Sequence, residues 1–512
     1  MKFFLLAFRA LTVCGLLASA HAAEESAARA KTLNDLQTQL AATFNAPRFG
    51  GALWGAKIVS LDSGRTWFEH HADRLLSPAS NCKLFTAALA LDRLGGDYRI
   101  VTPLRATTKP DASGDLRGDL IVSGRGDPSW KSRGTGKDFW ATFEPFVAAI
   151  EKAGVKHITG DILTDTTYFR GPPSGAGWSA DDLVEDFGAE ISAVSLEDNF
   201  ADVRVDPGSK AGDPGTLALV QPSTGLFLDN RVITTMEGGV KHLTRIRLPG
   251  ENVVHFFGEV PLGSAATSLD VAVPHPSLWF AAALKEALVR RGIRVDGGAR
   301  SVGWPDAPLA TTGSVQIGEI SSPPLRVLLT SLVKASQNLE TDLIFAHLGE
   351  KYRATDAPPG QTSEESAVAL LRFFLTQNHL PADEVRFEEG SGLSRNNLAT
   401  ANAIVALLQF MKAHRAAKDF FDALPIAGVD GTIKRQMKGT AAENNVHAKT
   451  GSLRYANSLS GYVTTAAGEQ LAFSFMLNRY VPLPGRTAVT ELDDLAVLLA
   501  SFNARPDVPT QR

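Results

Sequence analysis

Hydrophobic patterning divides the 512-residue chain into three textures. Residues 54–60 and 66–70 read as strands, and Asp62-Ser63-Gly64 between them is a hairpin signal. Residues 83–94 read as a helix, filled with alanine and leucine and stopped by Gly95-Gly96. Between about residues 100 and 320 the pattern changes to short β-rich runs, such as 120–122 and 253–257, broken by Gly, Pro and Asp. Two helices are predicted inside that stretch, over about 139–153 and 276–291, the second stopped by Gly292. After residue 322 helices dominate, and two late β-rich runs, 459–464 and 471–477, follow them. The last helix, about 491–502, carries an apolar stripe at 492, 495, 499 and 502. The stripe predicts docking on the core, because Glu491, Asp493 and Asp494 would face anionic lipid badly. No internal repeat or low-complexity tract is visible, and the layout predicts a split domain flanking a long insertion.

Composition narrows the class. Hydrophobic residues make up 44% and charged residues 21%, which is ordinary for a globular chain of two to four domains. The balance of 51 Lys+Arg against 55 Asp+Glu argues against nucleic acid as a partner. Cys14 and Cys82 are too few for a disulfide framework or a cysteine-based zinc site. Met1-Lys2 and Arg9, an apolar run over 11–17 and the small-x-small triplet Ala20-His21-Ala22 predict a secretory signal cut after Ala22. Acylation of Cys14 is the weaker alternative, Val13 being a poor neighbour for it. The mature chain then keeps only Cys82, so no intramolecular disulfide can form. No later segment approaches the roughly 20 apolar residues of a transmembrane span, so the expectation is a protein exported to the periplasm.

Ser80-Asn81-Cys82-Lys83 opens the first clear helix, and i,i+3 spacing puts serine and lysine on one face. A serine hydroxyl is a weak nucleophile until a base takes its proton, and a lysine can be that base if burial lowers its pKa. The spacing is cheap: Ser331-Leu332-Val333-Lys334 has it too, and an N-cap serine with a solvated lysine explains either. Ser336-Gln337-Asn338 is an S-x-N triplet, also matched by Ser394-Arg395-Asn396 and Ser501-Phe502-Asn503. Lys449-Thr450-Gly451 is the rarer K-T-G. In the order S-x-x-K, S-x-N, K-T-G, the three match the motif set of serine β-lactamases and penicillin-binding proteins.

With these motifs the chain resembles the class C low-molecular-mass penicillin-binding proteins, the D-alanyl-D-alanine carboxypeptidase/endopeptidase family, over nearly its whole mature length. Gly118-Asp119-Leu120, Gly126-Asp127-Pro128, Gly160-Asp161-Ile162 with Asp165 and Tyr168-Phe169, Gly390-Ser391-Gly392-Leu393-Ser394-Arg395 and Gly428-Val429-Asp430-Gly431-Thr432 resemble further family markers. The 256 residues from Ser80 to Ser336 fit a family that inserts two domains there. Two departures stand out: Glu389 where aspartate is expected, and Gln337 where aspartate is common.

The resemblance implies an α/β (α+β) fold: an antiparallel sheet flanked by helices plus a helical cluster, with two β-rich accessory domains. The expected partition is a signal peptide at 1–22, a catalytic domain of 23–104 plus 319–512, an accessory domain of 105–128 plus 200–318, and a nested one of 129–199. It implies that Ser80 attacks the penultimate D-alanine carbonyl, with Lys83 as base. Ser336 relays a proton to the leaving amine, and Asn338 orients Lys83 and the substrate amide. Lys449 supplies positive field, Thr450 a hydroxyl for the substrate carboxylate, and Gly451 and Ser452 are further substrate-binding positions. The oxyanion would sit between the N–H groups of Ser80 and Ser452. Peptidoglycan stem peptides and β-lactams are the implied partners, with no cofactor.

Other chemistry is poorly supported. His70-His71 is not i,i+4 and there is no H-E-x-x-H, so no metal site is expected. No G-x-S-x-G elbow occurs, and Gly124-x-Gly126 lacks the third glycine of a dinucleotide site. Arg125-Gly126-Asp127 matches an adhesion tripeptide by spelling only, Cys82 reads as packing, and Ser331–Lys334 as a decoy on the helix leading to Ser336. The competing functions are a β-lactamase, weakened by the long insertion, and a non-catalytic wall-binding protein, weakened by the intact motif set. A class A β-lactamase uses an extra glutamate for deacylation, and no equivalent is evident; Glu340 follows Asn338 by two residues with nothing to place it beside a water.

Overall fold

Along the strand Gln470–Asn478, Leu471, Phe473, Phe475 and Leu477 face one side while Ala472, Ser474 and Met476 face the other. Both faces are covered, which is why this strand reads as one nearly continuous apolar run. It is the centre of a five-stranded antiparallel sheet ordered His447–Leu453, Ala456–Thr464, Gln470–Asn478, Leu53–Ser60, Thr66–His70. The computed structural model describes residues 30–248, 250–306 and 313–504, so the expected leader, with Cys14 and its cleavage site, lies outside the described residues.

Helices Leu33–Phe44 and Ala488–Ser501 cover the first face, packing Leu36, Leu40, Leu492, Leu495 and Leu499 onto Trp54, Ile58 and Phe475. The stripe of the last helix therefore lies on the sheet. Its Glu491, 2% exposed, is held by Arg48, Arg486 and the Tyr480 hydroxyl. The second face carries a helical cluster around Cys82–Arg93, ten of whose twelve residues are buried. Helices Leu325–Ala335, Asn338–Lys351, Ser363–Gln377 and Ala401–Ala413 share that core, and a helix apolar on all sides is the one that sits at its centre.

The insertion divides differently from the sequence expectation. Strands Val101–Ala106 and Val315–Ser321 pair with each other from Val101↔Ser321 to Ala106↔Val315, so both straddle the expected cuts after 104 and before 319. They form one edge of a five-stranded sheet with Leu120–Ser123, Ile162–Asp165 and Ala299–Val302. Strand Ile162–Asp165, expected in a nested domain of 129–199, lies inside this sheet between Leu120–Ser123 and Ala299–Val302, parallel to both. Two separate three-stranded sheets are instead built from Phe200–Asp206 through Thr267–Ala272. Their Val203, Val232 and Phe256 share a continuous core with Leu104, Ile162 and Phe280.

The helix expected over 139–153 is also divided. A 3-10 turn, Phe139–Phe143, capped by the Asp138 carboxylate, precedes the α-helix Glu144–Lys152. Pro145 lies in the first turn of that α-helix, where its missing N–H costs nothing.

Candidate active site

Ser80 sits in the 3-10 turn Ala79–Asn81 that feeds helix Cys82–Arg93, and Ala79 is held at φ +46°. A left-handed non-glycine residue costs about 1–2 kcal/mol, so its surroundings must hold it there. Asn81 Nδ2 donates to Ser460 Oγ (2.6 Å), which donates to Ser474 Oγ (2.8 Å), tying the turn to the sheet. Ser458 Oγ donates to the Pro78 carbonyl at 2.7 Å. Two glycines allow the remaining close approach. A Cβ on Gly451 would lie 2.4 Å from the Pro78 oxygen, and one on Gly392, itself at φ +89°, 2.0 Å from the Ala79 oxygen. The turn is thus clamped between the K-T-G strand and the 390–395 loop.

Lys83 is fully buried. Its Nζ donates to Ser80 Oγ at 3.0 Å, Asn338 Oδ1 at 2.6 Å and the Ser391 carbonyl at 2.7 Å, all neutral oxygens. Burial lowers its pKa to about 8 against the opposing pull of the neighbouring Asp342–Glu389 carboxyl pair. A lysine so placed can lose its proton near neutral pH while touching the serine hydroxyl.

Ser336 and Asn338 sit at the junction of helices Leu325–Ala335 and Asn338–Lys351, Ser336 ending the first at φ +62°. Buried Lys449 donates to Ser336 Oγ at 2.8 Å and to the Thr450 carbonyl at 2.7 Å. Burial, and then the charge of Lys83, hold Lys449 well below the usual lysine range. Asn338 Nδ2 donates to the Phe187 carbonyl at 3.0 Å, which leaves its Oδ1 for Lys83. Thr450 Oγ1 donates to Thr432 Oγ1 at 2.8 Å. Thr432 belongs to the 428–432 loop, which Lys334 holds through Asp430 (2.7 Å) and the Leu424 carbonyl (2.8 Å).

These residues meet at a cleft of about 770 Å³. Ser80, Ser336, Asn338, Thr450, Gly451 and Ser452 line it, whereas Lys83 and Lys449 lie behind the two serines. Accessory residues form the opposite wall, where Asp182 accepts from Arg395 at 2.7 Å. The Ser391, Phe187 and Thr432 groups were not anticipated from the sequence. The first two act through main-chain oxygens that no side-chain pattern marks; the 428–432 motif was visible but carried no role.

The remaining candidates lie elsewhere. Ser394 Oγ is turned to Glu388, and Ser501 ends the last helix. Arg125 stacks over Tyr168 at 4.7 Å while Asp127 is 1% exposed and accepts from the Ser129 N–H, so that tripeptide is an inter-element joint. Cys82 is buried among apolar neighbours, its Sγ accepting from Asn397 Nδ2. Glu340 is engaged by Lys131, which also binds Asp198, and does not line the cleft. Among the described residues no group of three His, Cys, Asp or Glu side chains is placed to hold a metal ion.

The architecture is that of a penicillin-binding protein. It superposes on the crystal structure of penicillin-binding protein 4 from Haemophilus influenzae with a TM-score of 0.75, at 24% identity over 91% of this chain and 97% of that one. A family profile described as the D-Ala-D-Ala carboxypeptidase 3 (S13) family matches residues 36–499, and the chain belongs to that family. It is thereby a class C low-molecular-mass penicillin-binding protein and a serine-type D-Ala-D-Ala carboxypeptidase. Among its relatives, the D-alanyl-D-alanine carboxypeptidase of Actinomadura sp. is 29% identical over 95% of this chain and 87% of its own length. The D-alanyl-D-alanine carboxypeptidase DacB of Haemophilus influenzae is 27% identical over 84% and 86%.

Proposed function

We propose that this carboxypeptidase works through an acyl-enzyme on Ser80. The observation that carries the reading is the contact between fully buried Lys83 and Ser80 Oγ at 3.0 Å, with Lys83 lowered to about 8 by burial. Neutral Lys83 takes the hydroxyl proton as Ser80 attacks the carbonyl of the penultimate D-alanine. Backbone N–H groups of Ser80 and Ser452 hold the oxyanion; the approach enforced at Gly451 supports this. Ser336 passes a proton to the departing amine, and Asn338 holds Lys83 and the substrate amide. Lys449 and Thr450 hold the terminal carboxylate, which restores to buried Lys449 the counter-charge it otherwise lacks. Water then releases the acyl peptide.

The substrates are peptidoglycan stem peptides ending in D-alanyl-D-alanine, and D-alanyl cross-links, whose scissile bond is of the same kind. β-Lactams acylate the same serine. Their leaving group stays tethered, and Glu340, bound by Lys131, is not free to drive deacylation, so the adduct persists. The enzyme is exported to the periplasm; no helix among the described residues is long and apolar enough to cross a membrane. Labelling with fluorescent penicillin, followed by mapping of the labelled peptide, tests the reading. The label is expected on Ser80 and absent in Ser80→Ala. A label that survives there and maps to Ser331 overturns it.

A further inference from the structure

Behind Lys83, away from the cleft, lies a pair of buried carboxyls that the reaction above does not use. Glu389 is 0% and Asp342 1% exposed. The Glu389 carboxylate gathers the loop that follows it. It accepts from the N–H groups of Ser391 (2.8 Å), Gly392 (2.8 Å) and Ser394 (3.3 Å), from Asn397 Nδ2 (2.6 Å) and from the Ser391 hydroxyl. The same loop presents the Ser391 carbonyl to Lys83 Nζ at 2.7 Å. Its Gly390 carbonyl accepts from Thr86 Oγ1 at 2.9 Å, and the Gly390 N–H donates to Asp342 Oδ1 at 3.1 Å. The other Asp342 oxygen, Oδ2, is buried without a donor, and the Asp342 carboxyl lies against Glu389. Two carboxyls in contact inside a protein do not both ionise. The one surrounded by donors keeps the charge, and the one with an orphaned oxygen keeps the proton.

We infer that Glu389 is a positioning residue for Lys83. As the ionised member of a one-proton pair with Asp342, it folds the 390–397 loop so that the Ser391 carbonyl holds Lys83 against Ser80. Its single charge sets the pH at which Lys83 becomes a base. This rests on the reading of Lys83 as the base proposed above.

The charges around the pair are consistent with one proton. Burial drives Asp342 well above the usual carboxylate range, with Glu389 and Glu364 adding to the rise. Glu364 is itself pushed up to about 8, chiefly by burial, and is neutral below that. Lys83 faces Asp342 and Glu389, the neutral Cys82 thiol, whose pKa burial raises, and Lys449. With Asp342 protonated, Glu389 is the one full negative charge against Lys83. Were both ionised, Lys83 would hold its proton to higher pH.

The test is the rate of Ser80 acylation by fluorescent penicillin as a function of pH, on the full chain and its variants. Glu389→Gln removes the charge that favours protonated Lys83, so the acidic limb should move about one pH unit lower. Its plateau should fall about tenfold, because an amide nitrogen cannot accept from the Ser391 N–H. Glu389→Asp, which keeps the charge, should retain the wild-type limb. Asp342→Asn mimics the neutral acid and should also leave the limb in place. A limb that moves as far in Asp342→Asn as in Glu389→Gln, or one that Glu389→Gln does not move, overturns the inference while leaving Lys83 as base. Should Glu389→Gln fail to fold, Asp342→Asn decides alone: a limb in place supports the one-proton pair and a shifted limb overturns it. A wild-type rate with no acidic limb removes the base role of Lys83, and this inference with it.

Discussion

The chain spells S-x-x-K twice, and the two copies fold into different chemistry. At Ser80 and Lys83 the lysine is fully buried, donates to three neutral oxygens and touches its serine. At Ser331 and Lys334 the lysine is bound to the Asp430 carboxylate at 2.7 Å, and Ser331 is exposed, with its hydroxyl directed at Glu340 instead. The spacing brings serine and lysine to one helix face in both. Only the first site withdraws the lysine from water without giving it a directly bonded carboxylate, and desolvation is what makes the free base accessible. Lys334, bonded to an aspartate and a main-chain carbonyl, acts as a brace for the loop that carries Thr432.

Exchanging roles between the two sites gives the sharpest contrasts. Ser80→Ala should lower D-alanine release at least about 10⁴-fold, whereas Ser331→Ala should stay within about twofold, both read in a steady-state assay on a D-alanyl-D-alanine peptide. Lys83→Ala should slow acylation about 10³-fold in stopped-flow penicillin binding, because Ser80 loses its proton acceptor. Thr450→Val should raise KM about tenfold with kcat little changed, since one hydrogen bond to the substrate carboxylate is lost. Lys334→Ala should cost about 1 kcal/mol in a urea melt, as expected for a partly exposed ion pair, and leave the labelled residue unchanged. Loss of labelling in Lys334→Ala as complete as in Lys83→Ala would erase the distinction.

Much of the catalytic half was legible because its signals are local. Ser80 with Lys83, Ser336 with Asn338, and Lys449 to Gly451 each lie within a few residues, and the nearly continuous apolar run over 471–477 marks a strand. The insertion was less legible because its pairing is remote. Leu120 pairs with Ile162 and Ile162 with Ala299, and short apolar runs between Gly and Pro do not say which distant run they join. Glu389 was visible as a departure from the expected aspartate but had no assigned role. Its partners are main-chain N–H groups of a loop and a carboxyl on helix Asn338–Lys351, contacts that exist only once the chain is folded. The Phe187 carbonyl that orients Asn338 comes from the accessory side of the cleft and leaves no trace in side-chain spacing.

The claim that burial turns Lys83 into a base can be read directly by NMR titration of its Nζ in isotopically labelled Ser80→Ala protein, with the signal assigned by its loss in Lys83→Met. The account predicts a midpoint near 8, with the neutral form growing as pH rises through it. A midpoint at the ordinary lysine value of 10.5 would contradict it, since Lys83 would then stay charged throughout the pH range in which Ser80 must give up its proton.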